Sequence, residues 1–119
     1  MKFHHISLRV SDFEKSLRFY TTLAGLTVAK QFSANGGNVA YLHNAEGETE
    51  VELIAMPQGQ NFEGKGMFLC FAAEDLEAVH ALAVAEGMNP SDIRCPEPTA
   101  KYFYVYDPDG VSVQFREYK

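Results

Sequence analysis

HISLRVSDF, His5 to Phe13, returns in altered form as FLCFAAEDL, Phe68 to Leu76. The two stretches lie 63 residues apart, and the same spacing relates Asp12 to Asp75 and Gly47 to Gly110. In the first stretch Ile6, Leu8 and Val10 alternate with His5, Ser7 and Arg9, the period-two pattern of a strand with one apolar and one polar face. Asp12 then offers a helix N-cap, Phe13, Leu17 and Tyr20 recur at helical spacing, and Gly25 supplies a stop. A period this long, present only twice, reads as two structural modules and not as a solenoid.

Working outward, three short alternating runs follow in the first half: Leu26 to Phe32, Asn38 to His43 and Glu50 to Met56. Asn35-Gly36-Gly37 and the turn from Asn44 to Gly47 separate them, so the unit reads β-α-β-β-β. The second half repeats the order: a strand from Met67 to Ala73, a helix from Asp75 to Glu86 ended by Gly87, a weak segment around Ile93, then strands from Lys101 to Tyr106 and Val111 to Glu117. Pro90, Pro96 and Pro98 confine that weak segment to a sheet edge or a loop. Asp107-Pro108-Asp109-Gly110 is a strong turn signal. One more residue separates Gly47 from Glu52 than separates Gly110 from Gln114, which predicts a local bulge in the first module.

A chain of 119 residues with 46% hydrophobic content supports one core, so a single domain over residues 1–119 is expected, made of modules 1–61 and 64–119. A module of this size alone buries only about 60% of its unfolded surface, so the two should pack together or exchange into a dimer. The net charge is −6 without a long basic run, which excludes nucleic acid as a partner. That acidity is either an ordinary surface or a field that steers a cationic ligand. No stretch is long and apolar enough for a membrane, and the start leads directly into a strand pattern; a cytoplasmic location is expected. Cys70 and Cys95 have neither metal nor disulfide spacing and read as reduced thiols.

One helix covers one face of a sheet, so the other face of each module is where function is expected. Parity puts Val51, Leu53, Val113 and Phe115 on the helix side and Glu50, Glu52, Ser112, Gln114 and Arg116 opposite, with Tyr41, Tyr102, Tyr104 and Tyr106. By the same parity His4 points away from His5 as an exposed or capping residue. His43 and His80 read as ordinary polar residues.

HISLRVSDFEKSLRFY at 5–20, VELI at 51–54 and FYVYDPDGVSVQF at 103–115 resemble the glyoxalase and bleomycin-resistance family of the vicinal oxygen chelate superfamily, over nearly the whole chain. The resemblance implies an α+β fold of two βαβββ modules forming a cupped, mostly antiparallel sheet. It also implies a divalent metal (zinc, nickel, manganese or iron) held at His5, Glu52, Phe68 and Gln114. Phe68 has no lone pair and Gln114 only a neutral amide oxygen, so His5, Glu52 and Gln114 are the remaining metal candidates. The last-strand carboxylate that moves the substrate proton in glyoxalase I relatives is absent, leaving Glu52 as the candidate base. His5 and Glu52 either ligate a metal or hydrogen-bond each other or a ligand.

Arg9 matches the family's arginine that holds a glutathione carboxylate; it either clamps an anionic ligand or pairs with Glu50 or Glu52. The family's glutathione-binding asparagine is replaced by Met56. Phe68, Cys70, Tyr102 and Tyr104 either line a ligand site or fill a seam or dimer interface, and no neighbouring histidine in sequence activates Cys70. Three functions are therefore weighed. One is a protein that binds a small molecule without chemistry, usually as a homodimer in this family. Another is a metal-dependent glyoxalase-type lyase related to lactoylglutathione lyase, or a related isomerase or dioxygenase, using His5, Glu52 and Gln114. The last is an interaction module whose sheet packs on itself.

Overall fold

Asn35 and Gly36 both take positive φ, 52° and 79°, the geometry of the two-residue hairpin turn that Asn-Gly favours. The strands it joins are β2 (Thr27–Ala34) and β3 (Gly37–His43), antiparallel from Thr27 opposite His43 to Ala34 opposite Gly37. A bulge between Val28 and Lys30 interrupts their register. This hairpin belongs to the first of two units, Met1–Phe62 and Glu63–Lys119, in a computed structural model that describes residues 1–59 and 66–118. The junction expected between residues 61 and 64 lies outside the described residues.

The first unit opens with β1 (His5–Arg9) and α1 (Phe13–Arg18), and closes with β4 (Glu50–Ala55). Its sheet order is β1-β4-β3-β2, with β1 parallel to β4 and the other pairs antiparallel. The second unit has β5 (Phe68–Ala72), α2 (Leu76–Ala85), β6 (Arg94–Glu97), β7 (Ala100–Tyr106) and β8 (Ser112–Tyr118). Its order, β5-β8-β7-β6, repeats the first, again with one parallel pair. Each module is thus a βαβββ unit with its own four-stranded sheet. As the prolines require, β6 is an edge strand, displaced past Ile93 and irregular in its pairing.

The duplication extends to capping. Asp12 accepts from the Lys15 backbone N–H and Asp75 from that of Ala78, each at 3.1 Å. The α2 helix ends in a Schellman motif, with Gly87 at φ 76°, its N–H on the Val84 carbonyl and the Met88 N–H on that of Ala83. The first helix differs from expectation, because a π-helical turn, Phe19–Leu23, replaces its second half. The Thr21 hydroxyl takes the Leu17 carbonyl at 2.8 Å, competing with the helical ladder. The wider turn seats Phe19, Tyr20 and Leu23 together in the core.

Leu8, Val10, Ala40, Leu42, Val51 and Leu53 form the buried face of the first sheet beneath Phe13, Phe19 and Tyr20. Phe103, Val105, Val113 and Phe115 do the same in the second unit, with Leu76 and Ala83 from α2. Each large apolar side chain so buried contributes about 1.5–3 kcal/mol, which fixes the opposite faces as the free ones. The bulge expected before Glu52 is not present: Asn38 to Leu42 pair continuously with Ala55 to Val51. The extra residue is absorbed by a longer connection, 44–49 against 107–111, where no ladder hydrogen bond is lost.

Candidate functional site

Glu52 stands mid-strand on the uncovered face of the first sheet, with Ser7 beside it on β1 and Tyr41 beside it on β3. Its residue exposure is only 8%, so the carboxylate must find donors within the protein. The Ser7 hydroxyl donates to Oε1 at 2.5 Å, and His5 Nε2 lies 3.5 Å from the same oxygen. The Tyr41 hydroxyl is held above its ordinary value of 10.0, first by its hydrogen bond to Glu52, then by burial and by the charges of Glu52 and Glu50. The His5 and Tyr41 rings meet edge to face at 5.3 Å. One row along, His43 Nδ1 lies 3.3 Å from Glu50 Oε2.

His4 is exposed, as expected, but it does not point away from His5. It precedes β1, so strand alternation does not bind it, and its Nδ1 lies 2.7 Å from His5 Nδ1 with the rings in edge contact. Arg9 pairs with neither Glu50 nor Glu52 among the described contacts; it donates to the Gln58 carbonyl at 2.5 Å, with its guanidinium against Gly59.

On the second sheet Cys70, Gln114 and Tyr104 form the matching row. Gln114, 5% exposed, donates from Nε2 to the Tyr104 hydroxyl at 2.9 Å. Phe68 meets Tyr104 edge to face at 5.4 Å, reproducing the His5–Tyr41 contact. Arg116 lies over Tyr102 and Tyr118, 5.3 and 5.2 Å from the ring centroids. Burial pushes the Cys70 thiol up against the opposing effect of Arg116, so it is not an activated thiolate.

The donor set does not fit the four-ligand metal implied by the resemblance. The first unit offers His5 and Glu52, but the Glu52 oxygen nearest His5 already accepts from Ser7. The second offers only the neutral amide oxygen of Gln114, whose Nε2 donates to Tyr104, and a phenylalanine without a lone pair. The described residues do contain one carboxylate cluster, Asp75, Glu77 and Glu117. Its oxygens serve the fold: Glu117 accepts from the Leu76 N–H, Asp75 caps α2, and Lys101 binds Glu77 at 2.6 Å. Sequence reasoning missed Ser7 as a partner of Glu52, although it shares the His5 and Arg9 face; a serine carries no ligand signature, and its role needs the β1–β4 register.

A family model described as the glyoxalase/bleomycin resistance protein/dioxygenase superfamily matches residues 2–115. The chain belongs to this superfamily. An uncharacterized Bacillus subtilis (strain 168) protein, YwbC, is 30% identical over 122 residues, covering 93% of each chain. TnmS3, an antibiotic binding protein from Streptomyces sp. CB03234, shares the fold with a TM-score of 0.78 at 20% identity, over 100% of this chain and 97% of its own. A mutant glyoxalase I from Zea mays superposes with a TM-score of 0.84 at 18% identity, over 97% of this chain but 44% of its own. Among the described residues of this superfamily member, no helix is long and apolar enough to cross a membrane.

Proposed function

We propose that this member of the superfamily binds a small molecule on the polar faces of its sheets and does not carry out glyoxalase I isomerisation. The observation that carries the reading is Gln114, a buried amide where glyoxalase I relatives have the carboxylate that moves the proton. An amide accepts no proton under working conditions, and the remaining carboxylate, Glu52, is already committed to Ser7 and Tyr41. Aromatic walls with a few fixed polar groups suit a flat ligand. A relative of the same fold named as an antibiotic binding protein is consistent with such a use. The two modules are read as one domain that works as a homodimer in the cytoplasm.

The competing reading, a metal-dependent lyase, isomerase or dioxygenase, draws on the 3.5 Å approach of His5 to Glu52. Metal analysis of protein purified without chelator, with a hemithioacetal isomerisation assay, separates the two. Metal-free, inactive protein that binds small aromatic probes supports the binding role. Stoichiometric divalent metal with turnover overturns it.

A further inference from the structure

The second unit contains a recess of about 410 Å³ whose lining includes Asn89, Pro90, Arg94, Tyr104, Tyr106 and Ser112. A smaller recess, about 310 Å³, occupies the corresponding corner of the first unit, lined by His4, Lys30, Tyr41 and Glu50. The correspondence is one of register: Tyr41 stands to Glu52 as Tyr104 stands to Gln114, and Glu50 to His5 as Ser112 to Phe68. Each recess also receives a basic side chain from its outer strand, Lys30 on β2 and Arg94 on β6.

The copies differ in charge. In the first, Glu50 lies in the wall with Lys30, so the cation is offset. In the second, serine replaces that glutamate, and no described lining residue is acidic. An exposed guanidinium in a wall without carboxylates, on a chain of net charge −6, is set out for an anion brought by something else. Its planar fork fits a carboxylate through two parallel hydrogen bonds. Pro90 and the two tyrosines supply flat apolar surface for the body of the same molecule.

We infer that this recess is a binding subsite for a small aromatic carboxylate, with Arg94 as its charge partner. The inference rests on the binding-protein reading and names the ligand class. The Ser91 backbone N–H bonds the Tyr104 carbonyl at 2.8 Å, and the Tyr104 N–H bonds Ser91 Oγ at 2.9 Å. The 89–94 wall is thereby tied to β7, and the site needs little ordering on binding.

The test titrates 1-naphthoate, neutral 1-naphthamide and inorganic phosphate into the full chain, followed by amide NMR shifts. Naphthoate is expected to move residues 89–94, 104–106 and 112, with the amide and phosphate weaker by about tenfold or more. Arg94→Gln should weaken naphthoate by a similar factor, Arg94→Lys less. Ser112→Glu, which restores the acid of the first copy, should abolish the effect, and Lys30→Gln should change nothing. Naphthoate binding that Arg94→Gln leaves unchanged overturns the subsite but leaves the binding role standing. Naphthoate that shifts no residue of the recess also overturns it, whereas failure of the binding role is read separately from metal content and turnover.

Discussion

Removing the Ser7 hydroxyl isolates the contact that most distinguishes the two copies. In wild type it donates to a carboxylate that is 8% exposed, a charge-assisted bond worth about 1.5–3 kcal/mol. Ser7 itself is exposed, so water replaces part of the lost donor and the lower end applies. Ser7→Ala should therefore cost about 1.5 kcal/mol in denaturant unfolding at neutral pH. Cys70→Ala is the internal control, because Cys70 occupies the same row in the other copy beside a neutral amide; its cost should stay within about 0.5 kcal/mol. A cycle with Glu52→Gln sharpens the test, since the amide keeps the shape and removes the charge. The two first-unit substitutions should couple by about 1 kcal/mol. Additive effects, or a Ser7→Ala cost no larger than that of Cys70→Ala, would refute the claim that this hydroxyl holds a buried carboxylate.

Tyr41→Phe tests the alkaline side of the same cluster. A raised folded value favours the protonated phenol, so its stabilisation is complete below pH 10.0 and lost as pH rises through the folded value; the gap between wild type and Tyr41→Phe in urea melts should narrow there. Lys101, also raised, first by its hydrogen bond to Glu77, titrates alike in both proteins and cancels. Asp12→Ala and Asp75→Ala should each cost about 1 kcal/mol, and a large inequality in thermal melts would show that the twin caps are not equivalent. Gly59→Ala should destabilise by about 1–2 kcal/mol, because φ there is 114° and the new methyl meets the Arg9 guanidinium; a neutral result would show that the guanidinium moves aside without loss.

Elements whose cause is local are legible in the sequence. The Asn35-Gly36 turn, the Asp12 cap and the parity of Val51, Leu53, Val113 and Phe115 each follow from a few neighbouring residues. What escaped depends on register or on competition. Ser7 meets Glu52 only because β1 lies parallel to β4 with those residues opposed, and sequence spacing does not report which residues face across strands. The π-helical turn reflects one hydroxyl competing for a carbonyl, below the resolution of a periodicity argument. Alternation separates His4 from His5 only where both lie in a strand, and β1 begins at His5.

Between the two copies, polarity changes on the face that no helix covers and is kept on the face beneath the helices. On the helix side, Val51 and Val113, Leu53 and Phe115, and Leu42 and Val105 stay apolar and buried, and Leu8 is matched by the half-buried Phe71. On the free face His5 has become Phe68, Glu50 Ser112, Glu52 Gln114 and His43 Tyr106. Arginine has changed strands within one row: Arg9 faces Ile54 in the first copy, whereas Ala72 faces Arg116 in the second. Exchanging two carboxylates and two imidazoles for aromatic or neutral groups while keeping a guanidinium removes both negative charges from this face and leaves its cations unbalanced. Packing beneath the helices gives no reason for such a change, because these side chains stand on the opposite face of each sheet. A ligand with an anionic end and an aromatic body does give one, and that links Arg94, Ser112 and the tyrosines to a single binding event.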